Sequence, residues 1–265
     1  MAKVLPTYFI SHGGGPWPWM PDRRAQLAPL ETSLANMPAE IGSTPRAILM
    51  ISGHWEEAEF AVMASPNPPM VYDYYGFPPY TYQIKYAAPG APEIAVRIYQ
   101  LLKAASIPAH LDQERGLDHG TFAPLQIMYP KADVPVLQVS LKQGYDPEEH
   151  LALGRALAPL RSEGILIVGS GLSYHNLRRF GPAAREPSAA FDAWLDEAMN
   201  SPPARRTRML IDWETAPAAR ECHPQEDHLV PLMAAVGAAE TEAATRVYHD
   251  TNAYGGVTAS SYRFG

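Results

Sequence analysis

The chain lacks most features that mark a specialised class of protein. It has a single cysteine, Cys222, which excludes intrachain disulfides, cysteine-based zinc sites and self-contained iron–sulfur clusters. No apolar stretch approaches the ~20 residues that a membrane span requires, and residues 1–8 lack the apolar core of a signal peptide. We therefore expect a soluble cytoplasmic protein with no membrane partner.

Positive charge is also scarce. Lys and Arg total 21 against 28 Asp and Glu, a net charge of -7, and the basic residues form no run. A general nucleic-acid binder needs a basic face, so no nucleic acid is expected as a partner. Hydrophobic residues at 46% and charged residues at 18% are typical of a globular protein.

Several catalytic signatures are missing. The sequence His-Gly-Gly-Gly at 12–15 is similar to the oxyanion loop of lipases, but no Gly-x-Ser-x-Gly nucleophile motif accompanies it. Gly-Ser-Gly at 169–171 lacks the third glycine of a dinucleotide fingerprint, and there is no Walker A sequence. His-Glu-x-x-His and His-x-His are absent as well, which disfavours the metal sites built on those pairs.

Short apolar runs alternate with helical patterns along residues 1–265. This alternation predicts one α/β domain with a central, partly parallel sheet flanked by helices. Ligands of such sheets bind beyond the carboxyl ends of the strands, so a site is expected at that edge. The predicted strands are 4–10, 46–52, 59–64, 134–141 and 164–169, and the predicted helices are 26–36, 91–105, 121–129, 147–161, 188–200 and 224–236.

Three of the nine histidines lie just beyond the carboxyl end of a predicted strand. They are His12, His54 and His175, each with small residues beside it. Since parallel strands end at one edge, these imidazoles are expected to converge. Three or four histidines at one point suit Zn, Fe, Cu or Ni, and a histidine that is not bound to metal would serve as a general acid or base.

Two further histidines are candidates for the same site. His119 lies at a predicted helix N-terminus, and His228 lies on the first turns of the helix 224–236. Asp118, Glu226 and Asp227 are the nearest carboxylates that could complete a metal shell or orient an imidazole. Structural or solvated roles are expected for the remaining histidines, which are His110, His150, His223 and His249.

Two long loops are rich in aromatic residues. Residues 13–23 contain Trp17 and Trp19, and residues 65–89 contain six prolines and six tyrosines. Long structureless loops in compact domains are often functional. They either wall a pocket for a flat ligand or pack over the edge of the sheet. In the first case the segments 17–19 and 72–82 border the site, and Trp17 and Tyr75 are candidate substrate contacts.

Eight segments, in this order along the chain, carry a resemblance to a known family. They are Ser-His-Gly-Gly-Gly-Pro (11–16), Ile-Ser-Gly-His-Trp (51–55), Tyr-Asp-Tyr-Tyr-Gly-Phe-Pro (72–78), Tyr-Ala-Ala-Pro-Gly (86–90), Gly-Leu-Asp-His-Gly-Thr-Phe (116–122), Val-Pro-Val-Leu-Gln-Val-Ser-Leu (134–141), Gly-Ser-Gly-Leu-Ser-Tyr-His-Asn-Leu (169–177) and Asp-His-Leu-Val-Pro-Leu (227–232). Together they resemble the class III extradiol ring-cleaving dioxygenases, in the branch that contains the 4,5-DOPA dioxygenases.

The resemblance implies one mononuclear metal at the sheet edge, Fe(II) in the active form and Zn(II) possible in a crystal. It implies His12, His54 and His228 as metal ligands. His175 would be the catalytic base or a fourth ligand, and His119 would contact the substrate and assist proton transfer.

The implied reaction is Fe(II)-dependent cleavage of a catecholic ring, DOPA-like or related, with O2. The expected partners are therefore a small catechol and O2, and the expected assembly is a monomer or small homo-oligomer. Two other classes stay open at this point. One is a zinc-dependent hydrolase that uses a metal-bound water, and the other is a binding module or inactive relative that keeps the histidines for stability.

Overall fold

The central feature of the fold is a single eight-stranded sheet. The computed structural model describes residues 4–265, and residues 1–3 of the predicted domain lie outside the described residues. The strands are β1 (Thr7–Ser11), β2 (Ala47–Glu57), β3 (Phe60–Met63), β4 (Ala109–Asp112), β5 (Val136–Lys142), β6 (Ile165–Gly171), β7 (Ala244–Ala253) and β8 (Val257–Phe264).

The strand order is β4-β3-β5-β2-β6-β1-β8-β7. The four central strands, β5, β2, β6 and β1, are mutually parallel. On one side β3 pairs antiparallel with β5, and on the other β8 pairs antiparallel with β1. The predicted α/β class with a partly parallel sheet is therefore confirmed.

Helices flank this sheet, and several begin with a proline in the first turn. They are α1 (Pro21–Gln26), α2 (Ala28–Ile41), α3 (Pro92–Ala104), α4 (His119–Met128), α5 (Pro147–Leu157), α6 (Arg185–Asn200), α7 (Pro203–Ile211), α8 (Ala219–Cys222) and α9 (Val230–Gly237). The centre of the sheet lies in an apolar core, in which residues such as Ile48, Met50 and Ile167 are completely buried. No helix among residues 4–265 is both long and apolar enough to cross a membrane.

The five predicted strands are present with shifted ends, and three strands were missed. The strand β4 is short and partly exposed, and β7 and β8 are rich in Thr, Ser, Asn and Asp, so neither gives an apolar run. The predicted helix 26–36 corresponds to α2, except that Gln26 ends α1 and Leu27 lies between the two helices. Three helices, α1, α7 and α8, were not predicted.

Candidate metal centre

Three neighbouring strands bring histidines to the carboxyl edge of the sheet. β2, β6 and β1 lie side by side, with His12 directly after β1 and His175 four residues after β6. His54 was expected just beyond its strand but lies inside β2, within the stretch between Ile51 and Glu56 where the pairing with β5 is irregular. The backbone N–H of His12 donates a 3.1 Å hydrogen bond to the carbonyl of Gly171. The strand-end placement expected from the sequence thus gathers these rings at one edge.

His228 reaches the same edge from a turn. The predicted helix 224–236 begins only at Val230, with Pro231 in its first turn, so the expected placement of His228 on the helix is wrong. A Cβ at Gly171 would overlap the His228 carbonyl, so the end of β6 must be glycine for this turn to lie against it. The N–H of Leu172 then donates to that carbonyl at 3.0 Å.

His119 is the first residue of α4, whose N-terminus faces β2. The close approach depends on Gly120, because a Cβ there would overlap the Ser52 hydroxyl and lie 2.9 Å from Cδ2 of His54. As a result the ring of His119 lies 3.9 Å, centroid to centroid, from the ring of His54.

The ring nitrogens of these histidines point at one another. Nε2 of His54 lies 3.1 Å from Nε2 of His228. The ring of His12 lies 4.9 Å from that of His54, 5.2 Å from that of His119 and 5.1 Å from that of His228. One donor atom each of His12, His54 and His119 falls within 4.8 Å of the others, a spacing that can hold a metal ion.

His175 lies beside this group, stacked on His228. The two ring centroids are 3.4 Å apart and the planes are inclined by 21°. Nδ1 of His175 is 3.6 Å from Oδ1 of Asp227, and Nδ1 of His228 is 2.9 Å from Oδ2 of the same carboxylate. Burial alone would raise the pKa of Asp227, but the two imidazoles outweigh burial and hold this pKa below its usual range.

Asp73 is a site residue that the sequence reasoning missed. Its carboxylate oxygens both lie 2.9 Å from Nδ1 of His119, and Oδ2 lies 3.2 Å from Nδ1 of His54. The backbone N–H of His119 also donates to Oδ1 at 3.0 Å. One signal was available, since Asp73 is the sole acidic residue in the loop 65–89 and sits between two tyrosines.

Two carboxylates that the sequence offered as metal ligands or as partners for an imidazole are bonded to other residues. Asp118 accepts a 2.7 Å hydrogen bond from Ser52 and a 2.9 Å bond from Arg115. Glu226 forms an ion pair with Arg220 at 2.5 Å. The acidic residues next to the imidazoles are therefore Asp73 and Asp227.

Burial keeps three imidazoles of the cluster, those of His12, His54 and His228, neutral. Burial, reinforced by the neighbouring histidines, lowers the pKa of His12 and His54 well below the ordinary value. Burial likewise lowers the pKa of His228 to about 4. Both ring nitrogens of His12 are buried without a hydrogen-bond partner in the described part of the chain. Buried, neutral nitrogen donors without partners fit a metal ion that accepts imidazole ligands.

A cavity of about 630 Å³ opens above the histidines. Its walls include Tyr74, Tyr75 and Phe77 from the loop 65–89, so this loop borders the site as expected. The remaining lining residues are His12, Gly13, Gly14, Gly15, Arg23, Gln26, His54, Asp73, His119, Leu172, His175, Leu177, Phe180, His228 and Tyr254.

The two aromatic residues predicted to contact substrate differ in position. Tyr75 lines the cavity with 91% of its side chain exposed. Trp17 is completely buried and outside the lining, because its indole N–H donates a 2.8 Å bond to the carbonyl of His12. The positive φ of Gly13 folds the chain back over this indole. Trp17 therefore supports the backbone of His12 and is not a wall of the cavity.

Comparison with known proteins agrees with this geometry. Residues 8–265 match the family described as the catalytic LigB subunit of aromatic ring-opening dioxygenase. A crystal structure of an uncharacterized protein from Escherichia coli K12 superposes with a TM-score of 0.79 at 27% identity, covering 98% of this chain and 100% of the other.

Two proteins with similar sequences carry the names of dioxygenases. A 4,5-DOPA dioxygenase extradiol from Beta vulgaris is 38% identical, over 99% of this chain and 97% of its own length. Dioxygenase tasH from Hapsidospora irregularis is 36% identical, over 99% of this chain and 86% of its own length. Fold, cluster and relatives define an extradiol ring-cleaving dioxygenase. The chain belongs to the family of the catalytic LigB subunit of aromatic ring-opening dioxygenases.

Proposed function

We propose that this protein is an Fe(II)-dependent extradiol dioxygenase that opens the ring of a catecholic substrate with O2. The observation that carries the proposal is the cluster of buried imidazoles beneath an aromatic-walled cavity. The catechol class is supported by relatives named 4,5-DOPA dioxygenase extradiol, among them the Beta vulgaris protein.

In this proposal His12, His54 and His228 hold the ion. Ligand nitrogens about 2.0–2.1 Å from one metal, at tetrahedral or octahedral angles, lie about 3 Å apart. The distance of 3.1 Å between Nε2 of His54 and Nε2 of His228 agrees with that separation of ligand nitrogens. Bound there, Fe(II) would supply Lewis-acid activation of the catechol oxygens and redox chemistry with O2, which Zn(II) lacks.

The carboxylate of Asp73 determines which ring nitrogen of His54 and of His119 keeps its lone pair. A carboxylate facing Nδ1 favours the tautomer with the proton on that atom, which leaves Nε2 with a lone pair. For His54 that lone pair suits a metal ligand. In His119 the lone pair on Nε2 can accept a proton from a substrate hydroxyl in the cavity. Asp73 orients this ring without a metal.

His175 is the second proposed proton carrier. Its ring lies flat against His228 and its Nδ1 faces Asp227, whose low pKa keeps it an anion. An imidazole beside a fixed carboxylate can take up a proton and be stabilised while it holds it. His119 and His175 thus flank the proposed ligands on two sides. The aromatic wall of Tyr74, Tyr75 and Phe77 suits a flat ring.

The test is reconstitution under nitrogen with Fe(II) or Zn(II), followed by oxygen-electrode traces with a panel of catechols. We expect oxygen uptake and a yellow semialdehyde product with Fe(II) alone. Zn(II)-dependent hydrolysis of an added ester or amide probe, with no oxygen uptake from any catechol, would indicate the zinc-dependent hydrolase instead. Metal binding with no turnover of any catechol would indicate an inactive relative that keeps the histidines for stability.

The remaining expectations belong to the same proposal. Residues 1–265 are proposed to act as one catalytic domain, in agreement with the family match over residues 8–265. A monomer or small homo-oligomer and a cytoplasmic location stay predictions. Gel filtration with light scattering and cell fractionation test them.

A further inference from the structure

The backbone of His54 lies where the pairing of β2 with its neighbours is interrupted. The pairs with β5 skip residues 52–55, and the pairs with β6 end at Ser52, so His54 falls outside both runs of pairs. A bulge of this kind redirects side chains, and bulges are common beside active sites. The sheet therefore leaves the backbone N–H and carbonyl of a proposed metal ligand to be bonded by other groups.

Two side chains bond the backbone of His54, and both are bonded in turn to Asp118. The N–H of His54 donates to Oγ of Ser52 at 3.2 Å, and its carbonyl accepts a 3.1 Å hydrogen bond from Nη2 of Arg115. The Ser52 hydroxyl donates to Oδ1 of Asp118 at 2.7 Å, and Nη2 of Arg115 donates to Oδ2 at 2.9 Å. Ser52, Arg115 and Asp118 are called the His54 clamp below, because together they hold both backbone polar groups of His54.

Asp118 is the buried end of the His54 clamp. Its side chain is completely buried, and it occupies the N-cap position of α4, directly before His119. An aspartate at this position ordinarily accepts a hydrogen bond from the first turn of its helix, but this one forms no such bond, because its carboxylate is turned towards β2. One peptide bond thus joins the anchor of the His54 backbone to His119, whose ring centroid lies 3.9 Å from that of His54.

Arg115 is itself held in place. Its guanidinium carbon lies 5.0 Å from the centroid of the Trp55 ring, and only 18% of its side chain is exposed. Solvent screens a partly buried ion pair much less than a surface pair, so the bond from Arg115 to Asp118 is stronger than most ion pairs of this chain. The clamp is therefore one connected unit, in which the removal of any member leaves the others with unpaired polar groups.

We propose that Asp118 is a positioning residue, which acts through Ser52 and Arg115 to fix the backbone of His54 at the metal centre and to set its distance from His119. In this role its carboxylate contacts neither the metal nor the substrate. The proposal rests on the proposed function, because it takes His54 as a ligand of the ion and His119 as a proton carrier.

The first measurement is made on the full chain without metal. Hydrogen exchange followed by mass spectrometry reports how often the segment 53–57 opens. Asp118→Asn removes the charge from two hydrogen bonds, and Ser52→Ala removes the acceptor of the His54 N–H. Because a hydrogen bond to a charged group slows opening by about tenfold or more, we expect both variants to exchange faster in this segment by about that factor.

The second measurement is a titration of the same proteins with Co(II) under nitrogen, because the visible bands of Co(II) respond to the number and arrangement of its ligands. We expect Asp118→Asn and Ser52→Ala to bind Co(II) about 10–100-fold more weakly than the wild type, with shifted bands. The double variant should bind no more weakly than Asp118→Asn, because Ser52 fixes His54 only while Asp118 holds the hydroxyl.

Asp192→Asn is the matched control. Asp192 is also a buried carboxylate that accepts a hydrogen bond from a serine, Ser260 at 2.6 Å, and faces an arginine, Arg246 at 3.8 Å. These three residues are outside the lining of the cavity. The urea midpoint of this variant should fall as that of Asp118→Asn does, but its exchange in the segment 53–57 and its Co(II) bands should stay those of the wild type.

Wild-type exchange or wild-type Co(II) affinity in Asp118→Asn would overturn the proposal. An equal loss of affinity in Asp192→Asn would overturn it too, since a general loss of stability would then explain both variants. If Asp118→Asn does not fold, Ser52→Ala is judged by the same two criteria. Failure of the proposed function gives a different result, in which the Fe(II)-loaded wild type takes up no oxygen with any catechol while Asp118→Asn still differs from it in exchange and in Co(II) binding.

Discussion

Two groups of buried histidines in this molecule have opposite surroundings. His150 is as buried as His12, but the protein occupies both of its ring nitrogens. Nδ1 of His150 donates to the Asp146 carbonyl at 2.7 Å, and Nε2 accepts from the N–H of Lys142 at 3.2 Å. In the cluster at the sheet edge, by contrast, the nitrogens of His12 have no hydrogen-bond partner within residues 4–265.

His223 resembles His150 more than it resembles the cluster. It is fully buried, and its Nε2 donates to the Ser173 carbonyl at 3.1 Å. Burial lowers the pKa of His223 to about 3, so the ring is neutral and structural. Burial and a depressed pKa therefore do not separate a site histidine from a core histidine. His150 differs from His12 because the backbone already uses both of its ring nitrogens, and a ligand can bind only a nitrogen that is free. His223 is intermediate, since its Nδ1 has no hydrogen-bond partner within residues 4–265, but its ring does not line the cavity.

Loss of His12 should have the largest effect. We expect His12→Ala to lose bound metal and all turnover, because the ring offers unpartnered nitrogens to the centre of the cluster. Metal content after dialysis against a weak chelator measures this. His110→Ala, on exposed strand β4, is the control and should keep its metal. Wild-type stoichiometry in His12→Ala would show that this ring is not a ligand.

His228 and His175 are stacked, yet their substitutions should differ. His228→Gln should lose iron, because Nε2 of His228 faces Nε2 of His54 at 3.1 Å. His175→Gln should keep iron and lose about 10²–10⁴-fold in turnover, the usual loss when a general acid or base is removed. Iron assays on both purified variants decide the matter. Equal iron loss would indicate a four-histidine site and leave His119 as the proton carrier.

Asp73 supports two rings of the cluster without needing to touch a metal. We expect Asp73→Asn to weaken metal affinity about 10–100-fold, as for other carboxylates that orient a ligating histidine. Competition with a fluorescent zinc chelator measures this on the protein without substrate. Asp133→Asn, on an exposed loop, is the matched control. Unchanged affinity in Asp73→Asn would mean that backbone packing alone orients His54 and His119.

The sequence was informative where the chain alternates apolar strands with small residues. The ends of β1 and β6 could be located to within two residues because each apolar run stops at Ser or Gly before a histidine, and parallel strands share one edge. The end of β2 could not, because this strand continues past His54 to Glu57. The region 244–264 could not be predicted in the same way. Its strands have polar faces and pair antiparallel at the edge of the sheet, so Tyr254 was not recognised as part of the site.

Contacts between residues far apart in the sequence could not be predicted either. Asp73 meets His119 across 46 residues, and nothing local to either residue indicates the pairing. The indole of Trp17 illustrates the converse error. A tryptophan in a glycine-rich loop is typical of a pocket wall, but the turn at Gly13 directs this one back to the carbonyl of His12.

The smallest expected effect concerns His150 and the pH dependence of stability. Burial lowers the pKa of His150 from 6.5 to about 4 in the folded protein. As the pH falls below 6.5, the unfolded chain binds a proton at His150 that the folded chain does not bind. The contribution of His150 to stability is therefore fully present above pH 6.5 and is lost as the pH falls from 6.5 to about 4. Over the interval from pH 6.5 to pH 5 this one group removes about 2 kcal/mol from the free energy of unfolding.

His150→Gln abolishes this contribution, because glutamine does not titrate. We expect the variant to be less stable than the wild type at pH 7.5, since the bonds to Asp146 and Lys142 are perturbed, but to lose less stability on acidification. Urea unfolding at pH 7.5 and pH 5 on metal-free protein gives both differences, and the cluster histidines contribute equally to the two proteins and cancel. His110→Gln, whose ring is exposed, should follow the wild type at both pH values. An acid loss in His150→Gln as large as that of the wild type would mean that His150 does not resist protonation, and the contrast between the two groups of buried histidines would then rest on hydrogen bonding alone.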